Sequence, residues 1–215
     1  IDEKVGRPLS VSSDLIAVKH MHLKTGSTDL WNNLKMKFKS FDDFNHIEDK
    51  VYMDGDFRQS RISSNDIAYF TDGLDKTKFD LGLYGHITGY VNNLRAKNLL
   101  VTGGQATYVK GDFSLKGLPD WKNTFLELNF EQVATNKRDL DYLFSNFEGT
   151  PTAKVPDIIA KFGDVNFTGR FAGLQNDFVA YGTFKTKLGR FDPDINLKIA
   201  KNGKPSYSGK ISTYN

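Results

Sequence analysis

Phe79-Asp80-Leu81-Gly82-Leu83-Tyr84-Gly85-His86-Ile87-Thr88-Gly89-Tyr90-Val91 alternates Phe79, Leu81, Leu83, Ile87 and Val91 with Asp80, Tyr84, His86, Thr88 and Tyr90. A period of two sends successive side chains to opposite faces, so this stretch reads as a β-strand with one apolar face. Working outward, the same pattern returns. Val51, Met53, Gly55 and Phe57 interleave with Tyr52, Asp54, Asp56 and Arg58. Leu126, Leu128 and Phe130 alternate with Glu127, Asn129 and Glu131, and Val165, Phe167, Gly169 and Phe171 with Asn166, Thr168 and Arg170. Ile195, Leu197 and Ile199 repeat it near the end. Strands of this kind joined by short polar turns predict an antiparallel meander.

Two segments break the alternation. Residues 64–70 (Ser64 to Phe70) and 135–144 (Thr135 to Phe144) open on capping residues, carry an early acid and cluster their apolar side chains. Each predicts a helix of two to three turns. Helices this short are unstable alone and must dock on the sheet or cap a groove end.

The chain is internally repetitive. Phe57-Arg58-Gln59 leads to Asp66-Ile67-Ala68-Tyr69-Phe70 just as Phe130-Glu131-Gln132 leads to Asp139-Leu140-Asp141-Tyr142-Leu143. Residues 36–44 match 113–121, and residues 85–96 match 169–180. Three blocks in the same order signal a repeat architecture, in which units bury their faces against neighbours. The first copy is read as 30–105 and the second as 107–190, with extra residues near Pro151 and Pro156. Residues 1–29 and 191–215 read as strands of a preceding and a following repeat.

Composition narrows the function classes. In 215 residues, 39% are hydrophobic and 13% aromatic, enough to bury apolar surface. The net charge of +3 is spread among alternating signs, as in Lys35, Lys37 and Lys39 beside Asp42 and Asp43, which argues against a nucleic-acid interface. Cysteine is absent, so no disulfide or thiolate metal site forms. No apolar run is long enough to span a membrane as a helix. The start, Ile1-Asp2-Glu3-Lys4-Val5-Gly6, lacks a signal-peptide pattern and a Met, and reads as part of a longer protein.

Candidate chemistry is sparse. His20 and His22 are two apart on a strand but have no obvious further ligand. Asp42, Asp43 and Asp120 follow strands in turn-like stretches, where Asp caps backbone donors. The glycines at 85, 89, 169 and 173 lack the strand–loop–helix context of a nucleotide loop and read as bends that let a sheet curl. An enzyme reading, as a carbohydrate-active β-protein, rests only on Trp31 and Trp121. No catalytic residue, metal site or cofactor is expected.

The repeated apolar face remains. It comprises Met36, Phe38, Val51, Met53, Phe57, Phe79, Leu81, Leu83, Ile87, Val91, Phe113, Leu115, Leu126, Leu128, Phe130, Val165, Phe167 and Phe171. A β-sandwich core needs a second layer, and two short helices cover little sheet. A sheet curled on itself, with an open apolar trough for acyl chains, is the competing arrangement; each buried CH₂ there is worth about 0.8 kcal/mol.

The stretches 34–44 (LKMKFKSFDDF), 51–70 (VYMDGDFRQSRISSNDIAYF), 83–99 (LYGHITGYVNNLRAKNL), 108–120 (YVKGDFSLKGLPD) and 166–189 (NFTGRFAGLQNDFVAYGTFKTKLG), in this order, resemble the TamB family. More narrowly they resemble the TamB-like proteins of Bacteroidetes, within the AsmA-like group of bridge-like lipid-transfer proteins. The resemblance implies a mainly β fold, an elongated antiparallel repeat sheet curled into a taco-like groove. It implies an internal segment of an inner-membrane-anchored, periplasm-spanning protein that carries phospholipid toward the outer membrane and/or supports outer-membrane protein assembly. Phospholipid and an outer-membrane β-barrel of the TamA type are the implied partners. Contacts with the barrel and the membranes would fall outside this segment. The resemblance supplies no catalytic residues. The alternative is a β-rich scaffold or chaperone module that binds polypeptide partners by sheet-edge addition.

Overall fold

A computed structural model describes residues 9–67, 78–120, 123–147, 156–200 and 204–214. Twelve strands form one antiparallel sheet in strict sequence order. They are β1 (Leu9–Val11), β2 (Leu15–Lys24), β3 (Asp29–Lys37), β4 (Tyr52–Ser63), β5 (Asp80–Tyr90) and β6 (Asn93–Gly103). Then follow β7 (Thr107–Lys116), β8 (Phe125–Thr135), β9 (Val165–Leu174), β10 (Asp177–Thr186), β11 (Gly189–Ile199) and β12 (Pro205–Tyr214). The mainly β, curled antiparallel sheet expected from the alternation is what forms, and it does not close into a barrel.

Helix is confined to the strand ends. A 3-10 segment (Phe41–His46) runs into α1 (Ile47–Lys50) between β3 and β4. Next, α2 (Ser64–Ile67) follows β4, and α3 (Lys137–Phe147) follows β8. A second 3-10 segment, Asp157–Phe162, precedes β9. Two of these match the helices read from sequence, although 68–70 lie outside the described residues and α3 starts and ends later than 135–144. Asn136 caps α3, its side chain accepting from Asp139 N–H at 3.0 Å. The helical stretch at 41–50 was not expected; Phe38, at its entrance, meets Phe41 and Phe44 with ring centroids 5.1 and 5.0 Å apart. Most of the insertion read near Pro151–Pro156, and Trp121, lie outside the described residues.

The register sorts the apolar residues into rows that cross the sheet. One row passes through Leu9, Val18, Leu34, Gly55, Ile87, Ala96, Phe113, Leu128, Phe171, Ala180, Ile195 and Gly209. Its neighbour passes through Val11, Ile16, Met36, Met53, Gly89, Leu94, Leu115, Leu126, Gly173, Phe178, Leu197 and Tyr207. Register is specified wherever one face must hide from water, because a one-residue slip would expose both rows.

Irregularities bend this sheet. Register shifts fall on β2 after Val18, on β4 after Phe57, on β6 after Ala96 and on β8 after Phe130. His20, Gln59 and Asn98 take left-handed backbone conformations at the first three. Two of the bulges are held alike: His20 N–H donates to Asn33 Oδ1 and Asn98 N–H to Asp112 Oδ1, each at 2.8 Å. The bulges on β2, β4, β6 and β8 add twist and bend these strands at a similar height, which curls the sheet.

The result is an open body. The chain exposes 14559 Å², against about 10,000 Å² for a compact monomer of this mass. Among the described residues, only Phe38, Val51, Ala96 and Leu99 are buried apolar side chains.

Candidate functional site

The apolar face is the candidate site, and its residues are neither sealed nor bare. Met36, Met53, Leu115 and Leu126 lie in one row, and Ile87, Phe113, Leu128 and Phe171 in the next. Phe57 and Phe130 stand one rung further on, facing Gly85 and Gly169. Leu83 and Phe167 belong to a fourth row that runs Leu83, Val101, Val109, Val133, Phe167, Phe184 and Phe191. All of these are half-buried. Leu81 pairs with Ile62, and Val165 with Thr135, at the far strand ends. Phe79 and Val91 flank β5 and are half-buried too. Phe38 and Val51 differ: they are buried at the strand ends near the 41–50 helical stretch, 6% and 0% exposed.

A packed interior would bury such residues completely, since cores reach crystal-like density. Their intermediate exposure is that of a curved face with no second sheet over it among the described residues. The four rows span about 20 Å along the strands, and eleven inter-strand spacings extend the first two over about 50 Å.

Aromatic rings stiffen this face at its middle. Phe113 meets Phe130 at 5.6 Å, Phe130 meets Phe167 at 5.7 Å, Phe167 meets Phe184 at 4.4 Å, and Phe184 stacks on Phe191 at 4.8 Å. Tilted and stacked pairs of this kind add about 0.5–1.5 kcal/mol each beyond area burial. Phe162 of the second 3-10 segment joins Phe191 at 5.9 Å, extending the chain of rings to the helical end of the sheet.

A buried amide interrupts the lining. Asn32 is 5% exposed, sits between Met21 and Phe57 in register, and its Oδ1 has no hydrogen-bond partner among the described residues. An unsatisfied buried carbonyl costs free energy, and an apolar replacement of similar size removes that cost. Asn32→Leu is therefore expected to raise the unfolding free energy by about 1 kcal/mol, read as a higher urea midpoint at unchanged m-value.

The hairpins at one end are fastened by carboxylates. Asp139, 2% exposed in the first turn of α3, accepts through Oδ2 from the N–H groups of Gln105, Ala106 and Thr107 at 3.0, 2.6 and 2.8 Å. The Thr107 hydroxyl, 3.1 Å away, adds a fourth bond. Burial alone pushes this carboxyl up, but bonds from Ala106, Gln105 and Thr107 outweigh it and hold it below the usual carboxylate range. In the first repeat, Asp66 of α2 does the same to the β2–β3 turn. Its carboxyl is lowered by hydrogen bonds from Thr28 and Thr25, the Thr25 hydroxyl lying 2.7 Å from Oδ2. The sequence marked both acids only as helix-start residues.

The opposite face is polar. Lys110 pairs with Glu131 at 2.6 Å, Lys116 with Glu127 at 3.4 Å and Lys198 with Asp177 at 2.7 Å. Exposed pairs contribute about 0–1 kcal/mol each, so they keep this face wet rather than hold the sheet together.

The remaining candidate residues have local duties. His22 Nε2 lies 2.8 Å from Asp29 Oδ1, with its ring stacked on exposed Trp31 at 3.7 Å. His20 occupies a bulge, which breaks the simple alternation that places it on the same face as His22. Asp43 accepts from the N–H groups of Lys39 and Ser40, and its carboxyl is lowered chiefly by the Lys39 bond. Asp120 accepts from the Asn123 side-chain amide at 2.7 Å. Among the described residues no His, Asp or Glu cluster is arranged to hold a metal, and no helix is long and apolar enough to cross a membrane.

Other lining residues escaped the sequence reading, among them Leu94, Leu99, Val101, Val109, Phe178 and Phe184. The signal was present but dephased. On β6, Leu94 and Ala96 share a face with Leu99 and Val101 only because the bulge at Asn98 inserts one residue.

These features define an open, single-layer antiparallel meander with one apolar and one charged face. No protein-family model, curated protein or solved structure matches the chain.

Proposed function

We propose that the apolar face binds phospholipid acyl chains, and that the protein is a segment of a TamB-like, AsmA-type lipid carrier acting between inner and outer membrane in the periplasm. The observation that supports this reading is a pair of apolar rows that cross all twelve strands on a face that no second layer covers among the described residues. An acyl chain measures about 15 Å, half the hydrocarbon core of a bilayer, and fits within the four rows. Chains would lie against Leu83, Phe113, Leu128 and Phe167 while headgroups stay at the open rim in water. Support for outer-membrane protein assembly would follow from the same position between membranes. The chemistry is transfer rather than catalysis: binding must be favourable enough to load and weak enough to release.

The test is lipid extraction and native mass spectrometry of the purified protein, with photo-reactive phospholipid cross-linked to it. Bound phospholipid and adducts along the rows are expected. The variant Leu83→Glu/Leu128→Glu places charge against the acyl chains and should cut cross-linking by more than about tenfold. Leu128→Trp, which stays apolar but narrows the trough, serves where the charged variant misfolds. Cross-linking unchanged in a variant whose circular dichroism is native would refute the assignment, as would purification with polypeptide but no lipid.

A further inference from the structure

The charged face carries a cleft that lipid binding does not use. Arg61, Gly82, Thr102 and Tyr108 face one another across β4, β5, β6 and β7. They alternate with Leu83, Val101 and Val109, so they point away from the apolar rows. Gly82 leaves the floor low: a Cβ there would collide with the Thr102 hydroxyl oxygen. Asp80 and the 103–107 turn complete the walls around a volume of about 410 Å³, within the size of small-ligand sites.

The polar groups of this cleft are unspent. Among the described residues, no hydrogen bond or ion pair engages the side chains of Arg61, Asp80, Thr102, Gln105 or Tyr108. Cations bordering it are already paired, Lys110 with Glu131 and Arg58 with Asp56. Aromatic rings flank it. Tyr84, 52% exposed, lies two residues beyond Gly82 on the same face. Trp31, 47% exposed and stacked on His22, lies two residues beyond Asp29, which faces Arg61. Their strands, β5 and β3, are two spacings apart, about 10 Å.

This combination selects a ligand class. Strands β4 to β7 are paired on both sides, so the cleft offers no free ladder to a peptide. Arg61 is balanced by Asp80, which leaves no run of cations for a nucleic-acid backbone. An acyl chain would leave the polar groups without partners. A sugar ring satisfies both kinds of group. Its C–H face lies on an aromatic ring, while its hydroxyls exchange hydrogen bonds with guanidinium, carboxylate, amide and hydroxyl groups.

We propose that the charged face binds an oligosaccharide at this cleft, with one ring over Gly82 between Arg61 and Tyr108 and the chain continuing over Tyr84 toward Trp31. Asp80 is the only carboxylate lining the cleft, whereas glycoside cleavage ordinarily takes a pair, so the site binds and does not cut. The inference is independent of the lipid assignment, which uses the other face.

The experiment titrates cellotriose, maltotriose and chitotriose into the full chain, read by saturation-transfer NMR and calorimetry. Saturable binding of at least one trisaccharide is expected, with transfer strongest to the ring C–H protons. Arg61→Ala/Tyr84→Ala, which alters exposed side chains and should keep a native circular dichroism spectrum, is expected to weaken that binding at least about tenfold. Tyr181→Ala removes a comparably exposed tyrosine from β10, outside the cleft, and should bind as the wild type does. No saturable binding of any of the three sugars at millimolar concentration overturns the proposal. So does undiminished binding by Arg61→Ala/Tyr84→Ala, an equal loss in Tyr181→Ala, or tighter binding of oligothymidylate than of every sugar.

Discussion

Replacing Asp139 with Ala should cost the protein about 3 kcal/mol or more, among the largest single losses available in the chain. The loss arises because three backbone N–H groups of the β6–β7 turn, with the Thr107 hydroxyl, converge on one carboxylate oxygen. Without it, donors in a site where Asp139 is 2% exposed lose their acceptor. Gly104 sits in that turn with φ +61, and a Cβ there would come within 2.7 Å of the Asp139 carboxyl carbon, so turn and acid are fitted to each other. Asp139→Asn keeps an acceptor oxygen but forfeits the charge assistance, and should cost less. Asp66→Ala should also destabilise, but less, because its site is more exposed. Urea titrations of the variants give the comparison; equal midpoints for Asp139→Ala and wild type would remove the latch from the account.

The same carboxylate has a pH signature. Its folded-state pKa is held below that of the unfolded chain, so its contribution is complete above the unfolded value of about 3.9 and disappears as pH falls through the lower folded value. Wild-type stability should therefore decline on acidification below about pH 4 more steeply than that of Asp139→Asn. The variant keeps a residual slope because Asp43, Asp66 and Asp192 are lowered as well. Parallel slopes would mean that the Asp139 carboxyl titrates as it does in the unfolded chain.

What sequence could disclose, and what it could not, follows from the range of each interaction. Alternation is local, so the strand around Leu81, Leu83 and Ile87 was legible from its own residues. Bulges are also local but silent: Asn98 resembles any polar strand residue, yet its left-handed backbone shifts the phase and hides Leu99 and Val101. The stretch at 41–50 read as a turn because Asp42 and Asp43 dominate it. Its helical form depends on Phe38, Phe41 and Phe44 finding one another. Asp139 was legible as a helix-start acid. Its partners lie 32 to 34 residues upstream, and no local pattern announces them. The competition between a filled core and an open trough was undecidable from pattern, since both need the same apolar residues. The continuous single sheet and the half-burial of its rows favour the trough.

The curl itself predicts the other large effect, at the glycines the two repeats share. Gly89 and Gly173 take φ of +121 and +142, inside strands where other residues stay extended. A Cβ on Gly173 would lie 2.6 Å from the Cα of Phe178, and one on Gly89 would meet the carbonyl carbon of Asn93 at 3.2 Å. A side chain at either site must therefore strain its own backbone and push the next strand away, and a β-branched one does both most severely. Gly173→Val should lose about 3 kcal/mol or more, with Gly89→Val close behind. Gly26→Ala is the control: its Cβ meets nothing within 4 Å, so a change within about 0.5 kcal/mol is expected. The strain has a geometric outlet, because a sheet denied these bends can relieve it by flattening. Any Gly173→Val protein that still folds should show a larger radius of gyration in X-ray scattering, together with its lower urea midpoint. A variant as stable and as compact as Gly26→Ala would show that these glycines are tolerated by the curl rather than required for it.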